Sequence, residues 1–213
     1  MREYWRHSRK DFKMKIIFAT GNKDKMVEVR AILNGLSDEI LSMKEAGIQA
    51  EIEENGTTFE ENALIKARAV AKQTDGLVLA DDSGLEIDYL NGEPGIYSAR
   101  YAGEDTPYSV KNQMLLDRLK DAKEEERSAR FVCAIAAVTP EINGERKEFV
   151  VRGTFEGRIA YEPAGENGFG YDPIFYVPEY QCTSSQMSPE QKNAMSHRGQ
   201  ALRLMRELLE KEL

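Results

Sequence analysis

The sequence predicts an α/β protein with a mixed, twisted sheet flanked by helices, and three observations carry that expectation. Short apolar runs alternate with amphipathic helical stretches through the first 80 residues. Longer β-rich runs, "ARFVCAIAAV" and "KEFVVRGTFEGRIAY", dominate the middle of the chain. No internal repeat or low-complexity linker divides the 213 residues, a length sufficient for one well-buried core or for two lobes.

Taken in order, "KIIFA" (Lys15–Ala19) reads as a buried strand and "TGNKDK" (Thr20–Lys25) as a loop. "MVEVRAILNGL" is an amphipathic helix ending near Gly35. "TTFEENALIKARAVAKQT" is a stronger one, with Thr57 and Glu60 in capping-box spacing and small apolar residues at Ala63, Ala67, Val70 and Ala71. Leu77–Ala80 is a short strand that stops at two carboxylates, Asp81 and Asp82. A helix opens at Thr106-Pro107, with Pro at its first position, and runs into the charged segment around Lys120–Arg127. The two β-rich runs are joined by a turn holding Pro140 and Gly144. "SPEQKNAM" takes Ser188 as its cap, and a final helix covers about Gly199–Lys211.

Charge and composition exclude several classes. Twenty-nine basic against 37 acidic residues leave a net charge of −8, the wrong sign for a coat on nucleic acid. No apolar run is long enough to span a membrane, and the polar, basic start resembles no signal peptide. Met1–Lys13 is expected to be a disordered extension, with one domain from residue 14 to 213. Cys133 and Cys182 are too few for a disulfide framework or a zinc site, and Cys133 sits in an apolar run that reads as core. A cytoplasmic location fits.

Five segments hold chemistry. "TGNKDK" places backbone N–H groups, the positive end of a helix, and Lys23 and Lys25 where an anion would meet them, but a solvated turn reads the same way. Asp81 and Asp82 stand where open α/β sheets place ligands, and strand alternation sends them to opposite faces. A hard cation such as Mg²⁺ would neutralise them, aided by carboxylates of "EIEENG"; a surface Asp-Asp turn is the plainer reading. Asn62 and Lys66 share a helix face four residues apart, where the lysine either meets phosphate or is solvated. "GENGFGYDPIF" flanks Phe169 with glycines, as a stacking platform or as a hairpin with a core aromatic, and Asp172 offers an acceptor for a ring N–H. "KNAMSHRG" gathers Lys192, His197 and Arg198 at a helix break, Ser196–Gly199.

Together "TGNKDK", "EENGTTFEENALIKA", "ADDSGLEIDYLNGEPGIYSARYAGE", "GFGYDPIF" and "SHRGQAL", in this order, resemble the inosine triphosphate pyrophosphatase family. The resemblance covers the chain from about Met14 to its end. It implies a two-lobed α/β fold with the active site in a cleft, typically a homodimer. The reaction implied is Mg²⁺-dependent hydrolysis of ITP, dITP and XTP to monophosphate and pyrophosphate. Carried over by position, Asp82 is the general base and a metal ligand, and Glu53 the second metal ligand. Thr20, Gly21, Asn22, Lys23, Asp24 and Lys25 would hold the triphosphate, with Ser83 and Lys66 beside it. Phe169, Gly170, Tyr171, Asp172, Lys192, His197 and Arg198 would hold the base. Two departures stand out: "EENG" replaces the "EETG" of many members, and Met1–Lys13 has no counterpart.

Overall fold

A computed structural model of the protein describes residues 15–212; residues 1–14, residue 213 and the Asp24 side chain lie outside the described residues. The expected extension over Met1–Lys13 therefore falls outside them too. Seven strands form one mixed sheet in the order β2-β1-β3-β4-β5-β6-β7. Strands β1 (Ile16–Phe18), β2 (Ile40–Ser42) and β3 (Leu77–Ile87) are parallel neighbours. Helices α1 (Lys23–Ile32) and α2 (Phe59–Ala71) lie in the connections between them, which parallel pairing requires. Helix α3 (Tyr108–Arg118) leads to β4 (Ser128–Val138) and β5 (Glu148–Ile159). Strands β6 (Phe175–Val177) and β7 (Cys182–Thr183) pair antiparallel, β6 also with β5. Helices α4 (Pro189–Met195) and α5 (His197–Glu212) close the chain. Among the described residues no helix is long and apolar enough to cross a membrane.

The chain forms two compact units. Among the described residues the first comprises 15–82, 134–152 and 199–212; the second, 83–133 and 153–198. In the first, Ile16, Phe18, Leu77 and Leu79 of the paired strands are fully buried, as are Ala63, Ala67 and Val70 on one stripe of α2. In the second, Leu85, Ile87, Leu115 and Phe131 pack with Phe155 and Phe175 into one apolar cluster. Each such large side chain contributes about 1.5–3 kcal/mol on burial. Gly157 is forced by the closeness of β6: a Cβ there would meet the Phe175 ring and the Tyr176 carbonyl at 2.6 Å.

Several boundaries differ from the sequence expectation, each for a local reason. Strand β3 does not stop at Asp81 but runs through both carboxylates to Ile87, because Leu85 and Ile87 resume the buried apolar pattern. The cap of α2 is Thr58, whose hydroxyl accepts the Glu61 N–H, while Glu61 reaches back to the Thr57 N–H. The capping pair is thus displaced by one residue from Thr57 and Glu60. Pro107 caps α3 rather than entering it, and that helix ends at Arg118. The break between the last two helices is the single residue Ser196, in extended conformation, so α5 already starts at His197.

Candidate active site

In the first unit, Asp81 and Asp82 occupy the fifth and sixth positions of β3, where alternation gives each its own partners. Asp81, 1 % exposed, receives the Lys25 ammonium at 3.0 Å. Lys25 comes from α1, whose cap is Asn22: its side-chain oxygen accepts the Lys25 N–H, while Thr20 Oγ1 accepts the Asn22 N–H. This turn leaves Gly21, Asn22 and Lys23 at the surface.

Asp82 is held from α2. Lys66 donates to its Oδ1 at 3.0 Å and Asn62 to its Oδ2 at 3.2 Å. The four-residue spacing does bring both side chains onto one carboxylate. Asn62 also accepts the Gly56 N–H at 2.9 Å, which ties the "EENG" loop to the same helix. Lys66 is buried, not solvated, and a second ion pair joins it to Glu54 at 3.1 Å. Burial works against its charge, but Asp82, Asp81 and Glu54 outweigh it and lift its pKa, so the ammonium is retained. Burial likewise raises the Asp82 carboxyl above its usual range, against the pull of Lys66 and Asn62. A cavity of about 300 Å³ in this unit is lined by Thr20, Gly21, Lys25, Glu54, Lys66 and Asp81, among others.

The cluster sets the carboxylates of Asp81, Asp82 and Glu54 against the ammoniums of Lys25 and Lys66. Among the described residues no three His, Cys, Asp or Glu side chains converge as a metal cage. Glu53 is exposed, and its neighbour Glu54 is the one in contact with Lys66.

In the second unit, Phe169 sits in a loop shaped by Asp172. The Asp172 carboxylate, 3 % exposed, accepts the Phe169 N–H at 2.8 Å and the Lys192 ammonium at 2.6 Å, both on Oδ2. Ser184 Oγ donates to its Oδ1 at 2.9 Å. The carboxylate expected to meet a ring N–H is therefore already bound by three donors of this chain. Lys192 lies 5.1 Å and Arg198 5.8 Å from the centre of the Phe169 ring, within cation–π range. Arg198 also donates to Ser83 Oγ at 3.2 Å. His197 stacks on Phe131 with ring centres 5.0 Å apart. Gly170 has positive φ, and its carbonyl accepts from Asn112. Tyr171 turns into the core: its hydroxyl donates to the Ser98 carbonyl and its ring meets Tyr108 edge-on. Burial pushes the Tyr171 phenol well above its usual range.

Sequence reading missed Glu54 and Ser184. For Glu54 the adjacent Glu53 was the visible signal; for Ser184, twelve residues from Asp172, no local pattern points to the contact.

Comparison with known proteins finds relatives along most of the chain. The profile of the Ham1 family matches residues 16–208. The chain is 48% identical over 201 residues to a dITP/XTP pyrophosphatase of Clostridium perfringens, covering 92% of this chain and 97% of that protein. It is 45% identical to a dITP/XTP pyrophosphatase of Bacillus anthracis, over 90% of this chain and 94% of the relative. Among solved structures, a HAM1 protein from Coxiella burnetii aligns with a TM-score of 0.83 at 44% identity, over 93% of this chain and 99% of its own. A nucleoside-triphosphatase / dITP/XTP pyrophosphatase from Mycobacterium abscessus aligns with a TM-score of 0.71 at 43% identity, covering 90% and 98%.

Proposed function

The chain belongs to the Ham1 family, and from that premise we propose that it hydrolyses non-standard purine nucleoside triphosphates, ITP, dITP and XTP, to the monophosphate and pyrophosphate. It is a hydrolase of acid anhydrides, as its named relatives are. The observation that carries the reading is Asp82: a buried carboxylate in mid-strand, fixed by Lys66 and Asn62, beside a second carboxylate paired with Lys25.

Asp82 acts as the general base that takes a proton from the attacking water. The two α2 donors fix its orientation. Lys25 and the N-terminal turn of α1, with Thr20, Gly21, Asn22, Lys23 and Asp24, take phosphate oxygens. Lys66 stays cationic and stabilises charge that builds on the leaving pyrophosphate. Glu53 and Asp82 would hold Mg²⁺, which when bound would supply charge neutralisation on the triphosphate. Phe169, Lys192, His197 and Arg198 recognise the base, and Ser83 serves the triphosphate. Arg198, as a permanent donor, suits the 6-oxo group of hypoxanthine or xanthine and meets N–H donors in adenine.

The same reading makes the protein a homodimer that clears aberrant purines from the cytoplasmic nucleotide pool. Its test is pyrophosphate release against orthophosphate from XTP, dITP, dGTP and dATP, with and without MgCl₂. Pyrophosphate from XTP and dITP alone, only with Mg²⁺, is the expected result. Orthophosphate as the first product overturns it.

A further inference from the structure

The base-recognition loop does not stand alone. Residues 165–172 are laid against residues 183–187, and the contacts are numerous and close. Asn167 donates its N–H to the Ser185 carbonyl at 3.0 Å and its side-chain amide to the Met187 carbonyl at 3.2 Å. Gly165, with φ of 84°, lies so near that a Cβ would meet the Ser185 carbonyl carbon at 2.5 Å. Residues 183–187 hold their own hydrogen bonds. Thr183 and Gln186 cap each other's backbone around the single turn Ser184–Gln186, and Thr183 Oγ1 donates to the Ala164 carbonyl at 2.7 Å.

Ser184, 1 % exposed, sits at the start of that turn and donates its hydroxyl to Asp172 Oδ1. The other Asp172 oxygen organises two groups assigned to the base, the Phe169 backbone and the Lys192 ammonium. A carboxylate rotates about its Cβ–Cγ bond, so fixing Oδ1 fixes where Oδ2 points. From this chain of contacts we infer that Ser184 is a positioning residue for purine recognition. It locks the Asp172 carboxylate, and through it sets the Phe169 ring and the Lys192 ammonium for the incoming base. Ser184 does not touch the reacting phosphate, so its contribution falls on substrate capture.

The inference rests on the proposed pyrophosphatase activity, and the experiment separates the two. Wild type, Ser184→Ala and Ser184→Thr are assayed for pyrophosphate release from XTP and dITP, and the exchange of the Phe169 amide proton is followed by NMR. Loss of a hydrogen bond to a charged group predicts a KM about tenfold higher for Ser184→Ala, with kcat changed by about twofold at most. The threonine variant keeps the hydroxyl and restores KM, whereas a loss of bulk packing would not be rescued in this way. The Phe169 amide exchanges about tenfold faster in the alanine variant, as its acceptor is freed to turn. Unchanged KM in Ser184→Ala, a loss confined to kcat, or no rescue by threonine overturns the role of Ser184. A wild-type protein that releases no pyrophosphate overturns the proposed function instead.

Discussion

Lys66 and Asp82 meet at 3.0 Å with about a tenth of each side chain exposed, so Asp82 relies on Lys66 for its one cationic hydrogen-bond partner, while Lys66 also pairs with Glu54. Removing one member of a buried ion pair strands its partner. Lys66→Met is expected to cost about 3 kcal/mol in urea unfolding, because Asp82 then keeps only Asn62 as a direct side-chain donor. Asp82→Asn should cost less, since the amide oxygen still accepts from Lys66. Turnover behaves the other way: Asp82→Asn removes the base and lowers kcat about 10²–10⁴-fold. The double variant should recover part of the stability lost in Lys66→Met, a coupling of about 1–3 kcal/mol in a double-mutant cycle. Strict additivity of the two unfolding free energies would mean that the contact carries no energy.

The adjacent glutamates allow the proposed metal ligand, Glu53, to be told apart from the positioning residue, Glu54. Glu54 is engaged with Lys66, while Glu53 is exposed beside it. Glu53→Gln is expected to raise the Mg²⁺ concentration for half-maximal turnover at least about tenfold, as a lost ligand does. Glu54→Gln should leave that concentration within about threefold and instead lower the stability of the Lys66 cluster. A Mg²⁺ titration of both variants decides, and the opposite ranking would give the metal to Glu54.

Much of this was legible in the sequence. Asn62 and Lys66 read as one helix face, and the structure puts both on Asp82. The apolar run around Cys133 read as core and is buried. What escaped depends on contacts distant along the chain. Nothing local says that a strand will continue through two carboxylates, since the partners that stabilise them, Lys25 and Lys66, lie 56 and 16 residues away. The α2 cap was misplaced by one residue because Thr57 and Thr58 are interchangeable in pattern, and the backbone geometry of Thr58 decides between them. Asp172 looked like an open acceptor only because Ser184 and Lys192, which bind it, come later in the chain.

Acid response offers a check on the first unit's packing. Glu45 is held down to about 2 by the Ser42 backbone N–H, the Arg30 guanidinium and the Ser42 hydroxyl, against a small effect of burial. Its ordinary value is 4.5. A carboxyl depressed in the folded state adds stability that is complete above its unfolded pKa and disappears as pH falls through its folded pKa. Glu45→Gln should therefore differ from wild type by a constant amount above about pH 5.5, with the two converging between 4.5 and 2. Urea midpoints across this range test it. A difference that grows toward low pH would show that Glu45 is not paired as described.

Selectivity for the 6-oxo group is the most direct test of the second unit. Arg198 is 3 % exposed and donates to Ser83, and its guanidinium carbon lies 5.8 Å from the centre of the Phe169 ring. A guanidinium cannot give up its proton at any working pH, so it can only donate. Facing O6 of hypoxanthine or xanthine it is satisfied; facing the 6-amino group of adenine it is a buried donor against a donor. Such a mismatch costs about 1–3 kcal/mol, or about tenfold to a hundredfold in kcat/KM. Arg198→Ala should therefore reduce kcat/KM for dITP by that factor while leaving the low rate on dATP unchanged, so the ratio between them collapses. Arg198→Lys keeps the charge but loses the planar fork and should fall between the two. Measuring dITP and dATP side by side is essential, because an equal loss on both would assign Arg198 to phosphate binding or to folding rather than to the choice of base.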